Sequence, residues 1–298
     1  MTSWESILDT SLRRQWKRYR KSLKQCQRSC APKAVHASRV ECRRLLSQLE
    51  LLGAAPLSAG LRRKARATLK QHLDTFDRLR DTQVQLALLK AEAKAFPETR
   101  EIRAALEKRE QRLLMKVRSR IGKLKTGRIK KLTSAACQHL AGLRANGDRR
   151  LRVRRRIVGA VDAAFARAVD LRQKMDPAQL ASIHRARIAF KKFRYMAEAL
   201  QTLQPAISTS RLKAMQSFQT LLGEVQDTDV FLRRLDKFAH KNPRRKKPLA
   251  SFRHWLLSRR TEQIENLLKN ADAIHRFWPV DSSRRRPGAT PDATLRRR

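Results

Sequence analysis

The chain has 298 residues, enough for one large domain or two of about 150. Lys and Arg number 70 against 26 Asp and Glu, a formal charge of +44. Self-repulsion on that scale burdens a compact fold and points to a polyanionic partner such as nucleic acid, polyphosphate or an anionic membrane surface. Apolar residues at 41% exclude wholesale disorder. Aromatic residues at 5% weaken the case for single-strand binding by base stacking.

In chain order, Thr2-x-x-Glu5 reads as a capping box. Leu8, Leu12, Trp16, Tyr19, Leu23, Cys26 and Cys30 follow at steps of three and four, the spacing of an amphipathic helix. Pro32 opens a second helix, which Gly53 and Pro56 break. Long helices are predicted over residues 57–95 and 98–145, with Pro97 between them and a turn at Asn146-Gly147. Asp148 is the expected cap of the next helix, whose start carries six arginines within residues 149–156. Asp176-Pro177 reads as cap and first position of the helix that Pro205 ends. Ser208 or Ser210 caps its successor, Asn242-Pro243 breaks the chain, and a last helix is predicted over residues 248–272. No stretch shows strand alternation. The residues after Val280, DSSRRRPGATPDATLRRR, are expected to be a basic disordered tail.

Four cysteines, Cys26, Cys30, Cys42 and Cys137, are too few for a disulfide framework at this size. Reduced thiols in a cytoplasmic protein are expected. MTSWESILDT has no basic-then-apolar leader, and no apolar run approaches the ~20 residues of a membrane span.

One segment occurs twice. Residues 35–50 read VHASRVECRRLLSQLE and residues 183–198 read IHRARIAFKKFRYMAE. With His184 as origin on a helix turning ~100° per residue, Arg187, Lys191 and Arg194 fall within ~80° on one side, beside the apolar Ile183, Phe190 and Phe193. His36, Arg39 and Arg43 repeat the pattern beside Val35, Cys42 and Leu45. Arg44 and Lys192 lie ~80° to the other side and belong at most to the rim. Each helix is followed by a second repeated segment, LRDTQVQL at 79–86 and VQDTDVFL at 225–232. Matched segments at matched separation indicate a duplicated unit of roughly 145 residues.

These four segments, agreeing in order and spacing over about residues 3–275, resemble the CHAD domain, the conserved histidine α-helical domain. The resemblance implies an all-α fold of two four-helix bundles related by approximate two-fold symmetry. Residues 1–147 would form the first repeat and 148–279 the second, with residues 280–298 as tail. It further implies basic helices facing a shared groove, binding of inorganic polyphosphate, no catalysis, and recruitment to polyphosphate granules.

Polyphosphate suits the stripes physically. It offers about one negative charge per internal phosphate and no base to read, so it needs donors at helical spacing. Arg gives a forked contact and Lys a point charge. The candidate ligands are His36, Arg39, Arg43, Arg44, His184, Arg187, Lys191, Lys192 and Arg194. Asp81 and Asp227 are poor direct ligands and are expected to orient a His or Arg of the preceding helix. Glu198, four residues after Arg194, is expected to pair with it.

The competing reading is a nucleic-acid-compacting protein, which the charge fits equally well. No cofactor or metal is expected. Cys26-x-x-x-Cys30 with His36 nearby lacks a fourth zinc ligand and suits core packing better. Gly122-x-x-x-x-Gly127-Arg128-Ile129 resembles a phosphate-binding loop but lacks its Lys and Ser/Thr. No Ser-His-Asp elbow, HExxH or paired-carboxylate motif occurs. The Glu-x-Glu-x-Lys signature of the triphosphate tunnel (CYTH) family, often joined to CHAD domains, is also missing.

Overall fold

A computed structural model describes residues 3–54, 58–143, 147–201, 203 and 207–278. Among them every regular element is helical. Helix α1 spans Trp4–Arg28, capped by Ser3, whose hydroxyl accepts from the Ser6 N–H. The expected box at Thr2 lies outside the described residues, and its Glu5 has other work. Glu5 is fully buried and pairs with Arg150 of a later helix.

Helix α2, Pro32–Leu51, has Pro at its first position as expected. Helix α3, Ala59–Ala91, is capped by Ser58. The single helix predicted over 98–145 is two, α4 (Arg100–Ile121) and α5 (Gly127–Gly142). Helix α4 ends in a tightened turn, where Lys123 N–H reaches Arg120 O at 3.0 Å and Leu124 N–H reaches Ile121 O at 3.3 Å. Gly122 makes interruption cheap because glycine is a poor helix former. Packing supplies the reason for it, since α5 turns back onto α1 and α3. The Gly122–Gly127 resemblance to a phosphate-binding loop falls in this connection, preceded by a helix rather than a strand.

Helix α6 is Gly147–Gln173. Asp148 is therefore inside its first turn, where it favours the positive helix end without capping it. Helix α7 begins only at Leu180 and runs to Ala199. Asp176 does not cap it. Its Oδ1 accepts from Ala178 N–H at 2.9 Å, closing a separate turn, and Ser182 Oγ donates to Gln179 O at 2.7 Å. Pro205 lies outside the described residues. Helix α8, Thr209–Lys241, is capped by Ser208, which accepts from Arg211 N–H at 3.1 Å. Helix α9, Ala250–Lys269, is shorter than expected and hands over to a 3-10 turn at Ala271–Arg276.

The duplication is visible in the packing. Helix α2 packs between α1 and α3, and α7 between α6 and α8. Helices α4 and α9 lie on α3 and α8 respectively. Where α5 returns onto α1 and α3, only the 3-10 turn at 271–276 returns onto α6 and α8. The two repeats meet directly, α2 against α7.

Neither hydrophobic core belongs to one repeat. The larger runs from Leu8 and Tyr19 through Leu45, Leu69 and Ile129 to Phe193, Leu222 and Trp278. The smaller gathers Leu86, Leu89, Ile102 and Leu106 of α3 and α4 with Phe231, Leu235 and Phe252 of α8 and α9. The four cysteines are free and buried. Burial raises Cys26, Cys42 and Cys137 to about 12, which makes them inert packing groups. Cys30 Sγ donates to Cys26 O at 3.4 Å, and no metal-competent cluster of His, Cys, Asp or Glu occurs among the described residues.

Shared cores predict that residues 1–146 and 147–298, made as separate chains, each lose a large part of their helicity, and that mixing restores it. Circular dichroism of each half and of the mixture is the measurement. Full helicity in the isolated halves would mean that each repeat completes its own core.

Candidate functional site

The basic stripes stand on α2 and α7 because each helix devotes the adjoining face to the core. On α7, Ile183, Phe190, Phe193 and Ala197 are buried. Phe193 meets Phe165 and Trp278, and Phe190 meets Phe218 and Phe277. This anchoring leaves the neighbouring arc of α7 at the α2 seam. On α2, Val35, Cys42 and Leu45 do the same. The stripes therefore meet along a seam between packed helices.

Lys191 is the centre of that meeting. Burial and then the charges of Arg43, Arg187, Arg39 and Arg194 push its pKa down to about 6. Two of these arginines come from α2 and two from its own helix, so the perturbation reports the joining of both repeats. Arg43 is itself lowered to about 10, by burial and then by Arg39. His36 is held below its ordinary value, by desolvation and then by Arg80, Arg43, Arg39 and Lys191. The Nε–H of Arg187 is buried with no partner among the described residues, a costly state for a charged donor. Five cations, Arg39, Arg43, Arg80, Arg187 and Lys191, share this region with the carboxylates of Asp77, Asp81 and Asp227.

The nine candidate ligands divide into four kinds. Arg43, Arg187 and Lys191 crowd together without a direct ion pair among the described residues. Arg39 and Arg194 are tied into the protein. Arg39 pairs with Asp77 and donates to Leu73 O at 2.9 Å. Arg194 donates from Nε to Gln219 Oε1 at 2.8 Å and lies over the Tyr195 ring. The expected pair of Arg194 with Glu198 is present but long, at 3.8 Å. Arg44 and Lys192 are committed across the seam. Arg44 reaches Glu198 of α7 at 2.7 Å, and Lys192 reaches Glu50 of α2 at 3.5 Å. The same two positions of the repeated segment thus form reciprocal bridges between the repeats. Both His residues are exposed, and His184 donates through Nδ1 to Gln226 Oε1.

The expected role of Asp81 and Asp227 is corrected in part. Among the described residues neither carboxylate hydrogen-bonds a histidine or directly pairs with an arginine. Burial raises the pKa of both. Asp77 adds to the rise at Asp81, while Arg187, Arg80 and Lys191 oppose it at Asp227. Orientation is done by neighbours that the sequence reasoning missed. Asp77 holds Arg39 from one turn before Asp81, Gln226 holds His184 from the position before Asp227, and Gln219 holds Arg194. Arg80, equivalent to Gln226 in the repeated segment, was also missed. Burial lowers its pKa and Asp227 opposes that. The i−4 spacing of Asp77 from Asp81 was a usable signal, since it puts both on one face of α3.

Chemically the seam can hold several anionic oxygens at once. Among the described residues no group of His, Cys, Asp and Glu is placed to hold a metal ion.

The sequence matches the CHAD domain family over residues 10–236, a span that holds both stripes and both Asp-Thr segments. Among solved structures, the fold is similar to the crystal structure of the CHAD domain from the plant Ricinus communis. The TM-score is 0.66 at 20% identity, with 92% of each chain covered. No curated protein matches the sequence.

Proposed function

The chain belongs to the CHAD domain family, and from that premise we propose that it binds inorganic polyphosphate without catalysis at the α2–α7 seam. The observation that carries this reading is the confluence of Lys191 with Arg39, Arg43, Arg187 and Arg194 from both repeats. A lysine whose pKa is lowered by burial and then by neighbouring arginines is a site that an anion stabilises. The helices that present it are packed, so little ordering entropy is lost on binding. Through such binding the protein would be recruited to polyphosphate granules. No helix among the described residues is long and apolar enough to cross a membrane.

Nucleic-acid binding is the second reading. Its support is the row of exposed cations along α1, including Arg14, Lys17, Arg18, Lys21 and Lys24. Competition separates the two. Long-chain polyphosphate and duplex DNA are titrated against one labelled polyphosphate at about 150 mM salt, where non-specific phosphate contacts are strongly weakened. Polyphosphate is expected to displace the label at much lower phosphate concentration. Equal displacement by DNA would favour the second reading.

The site also predicts a pH dependence. Free Lys191 has a pKa of about 6 and is mainly neutral at pH 7.5. A bound phosphate chain favours the ammonium form, raising its pKa in the complex. Binding above pH 6 then takes up a proton, so affinity falls as pH rises from 6 through the pKa of the complex. Calorimetry in two buffers of different ionisation enthalpy measures the uptake. Lys191→Met should abolish most of it, leaving the residual contribution of His36 at lower pH.

A further inference from the structure

A second group of cations lies on the far side of α3 from the seam. A cavity of about 340 Å³ opens between α4 and the C-terminal half of α8, floored by Ile102, Leu106 and Phe238. Arg109, Arg112, Arg234, Lys237 and Lys241 line it, and no carboxylate does. None of these five makes an ion pair among the described residues. Four carboxylates of the same helices pair with other residues. Glu101 pairs with Arg245, Glu107 with Arg103, Asp236 with Arg253, and Asp229 with Arg233 and Arg260. Arg234 is half-buried and Arg112, Lys237 and Lys241 are exposed, while Arg109 too is half-buried. Burial lowers its pKa, followed by Arg234, Arg78 and Arg112.

Two larger cavities show what is unusual here. One of about 420 Å³ at the end of α2 is also rich in arginine, but Glu50 lines it and bonds both Arg66 and Lys192, while Arg62 donates to Gly53 O. One of about 900 Å³ between α8 and α9 contains the Asp236–Arg253 pair. In both, the protein supplies its own counter-charge. In the α4–α8 cavity no carboxylate lines the wall, and the nearest one named, Asp81, acts on Arg109 without pairing with it.

Resting on the polyphosphate reading above, we propose that the α4–α8 cavity is a second binding site for the same condensed phosphate chain, reached from the seam around α3. The connection is short. Asp77 and Arg80 of α3 face the seam, and Thr82, ~140° around the helix from Asp77, accepts from Arg109 Nε at 3.3 Å. Along the axis, Arg80 and Thr82 are only ~3 Å apart. Asp81 lies between the two cationic groups. It interacts with Arg39 and Arg187 on one side and with Arg109 on the other. A chain filling both sites wraps one helix, a path of roughly 13 Å for a helix ~10–12 Å across. A long chain makes that path, and tripolyphosphate cannot.

Chain length therefore supplies the test. Tripolyphosphate and long-chain polyphosphate are titrated into the full chain and into Arg109→Ala/Arg234→Ala. A second variant, Arg112→Ala/Lys237→Ala, removes exposed side chains only, so loss of fold does not confound it. Both variants are expected to bind tripolyphosphate within about two-fold of the parent and to lose about ten-fold for the long chain. Long-chain binding equal to the parent in both variants would overturn the second site while leaving the seam reading intact. A parent that binds neither phosphate would overturn the seam reading and the second site with it. Variants that lose only duplex DNA binding would also overturn the proposal, assigning the cavity to nucleic acid.

Discussion

Replacing Arg43 and Lys191 together by alanine is expected to weaken long-chain polyphosphate binding by about 100-fold or more at about 150 mM salt. Each provides a charge-assisted hydrogen bond worth roughly 1.5–3 kcal/mol, and two such losses add to that factor if independent. The choice of residues follows from the geometry. Arg39 looks equivalent in sequence, but it holds Leu73 O and Asp77, so its removal would damage the α2–α3 contact as well as the site. Among the described residues Arg43 and Lys191 make no ion pair, and the charge of Arg43 disfavours the charged form of Lys191. Removing both should leave stability unchanged or slightly higher.

The comparison variant replaces Arg284, Arg285, Arg286, Arg296, Arg297 and Arg298 by alanine and so removes three times the charge. It should alter mainly the salt dependence and the association rate. Dissociation constants of both variants at two salt concentrations, with urea denaturation as the control for folding, decide the matter. A folded Arg43/Lys191 variant that binds like the parent, beside a C-terminal variant that fails, would replace the seam with a diffuse polycation.

Phe190→Ala is expected to destabilise the protein by ~3–5 kcal/mol, a large share of the ~5–15 kcal/mol that holds a typical domain. Phe190 is 1% exposed and sits in a ring of aromatics, 4.7 Å from Phe218, 5.7 Å from Phe277 and 5.9 Å from Phe193. The effect reaches the site because Phe190 precedes Lys191 and sits on the face that seats α7. Phe190→Leu keeps most of the volume and should cost less than ~1.5 kcal/mol. Urea midpoints of the two variants test this, and added polyphosphate should partly restore Phe190→Ala by binding only the native state. A cost below about 1 kcal/mol for the alanine variant would show that the aromatic ring does not hold α7.

Much of this molecule was legible before any fold was seen. Helical class, the approximate extents of α1, α2, α3 and α8, the duplication and the two basic stripes all depend on residues three, four and seven apart. That is information local to a helix, and a linear pattern carries it. The pairing of Arg194 with Glu198 was readable for the same reason. The break between α4 and α5 was not, because Gly122 permits a helix to continue and only the packing of α5 on α1 and α3 decides that it stops.

The site shows the same division. That His36, Arg39, Arg43, His184, Arg187 and Lys191 lie on basic faces followed from the sequence alone. Which of them are free, tied or bridging was decided by the neighbour each face met. Arg44 and Lys192 became bridges because α2 lies on α7, bringing Glu198 and Glu50 within reach. Orientation passed from Asp81 and Asp227 to Asp77, Gln219 and Gln226, since a side chain's partner across helices depends on their relative rotation and height. The charge state of Lys191 is the clearest case. Its sequence neighbours are ordinary, and its pKa of about 6 comes from burial and from arginines of two helices about 150 residues apart in the chain. Helical periodicity is a short-range property of the backbone, whereas electrostatics and burial sum over whatever tertiary packing brings near.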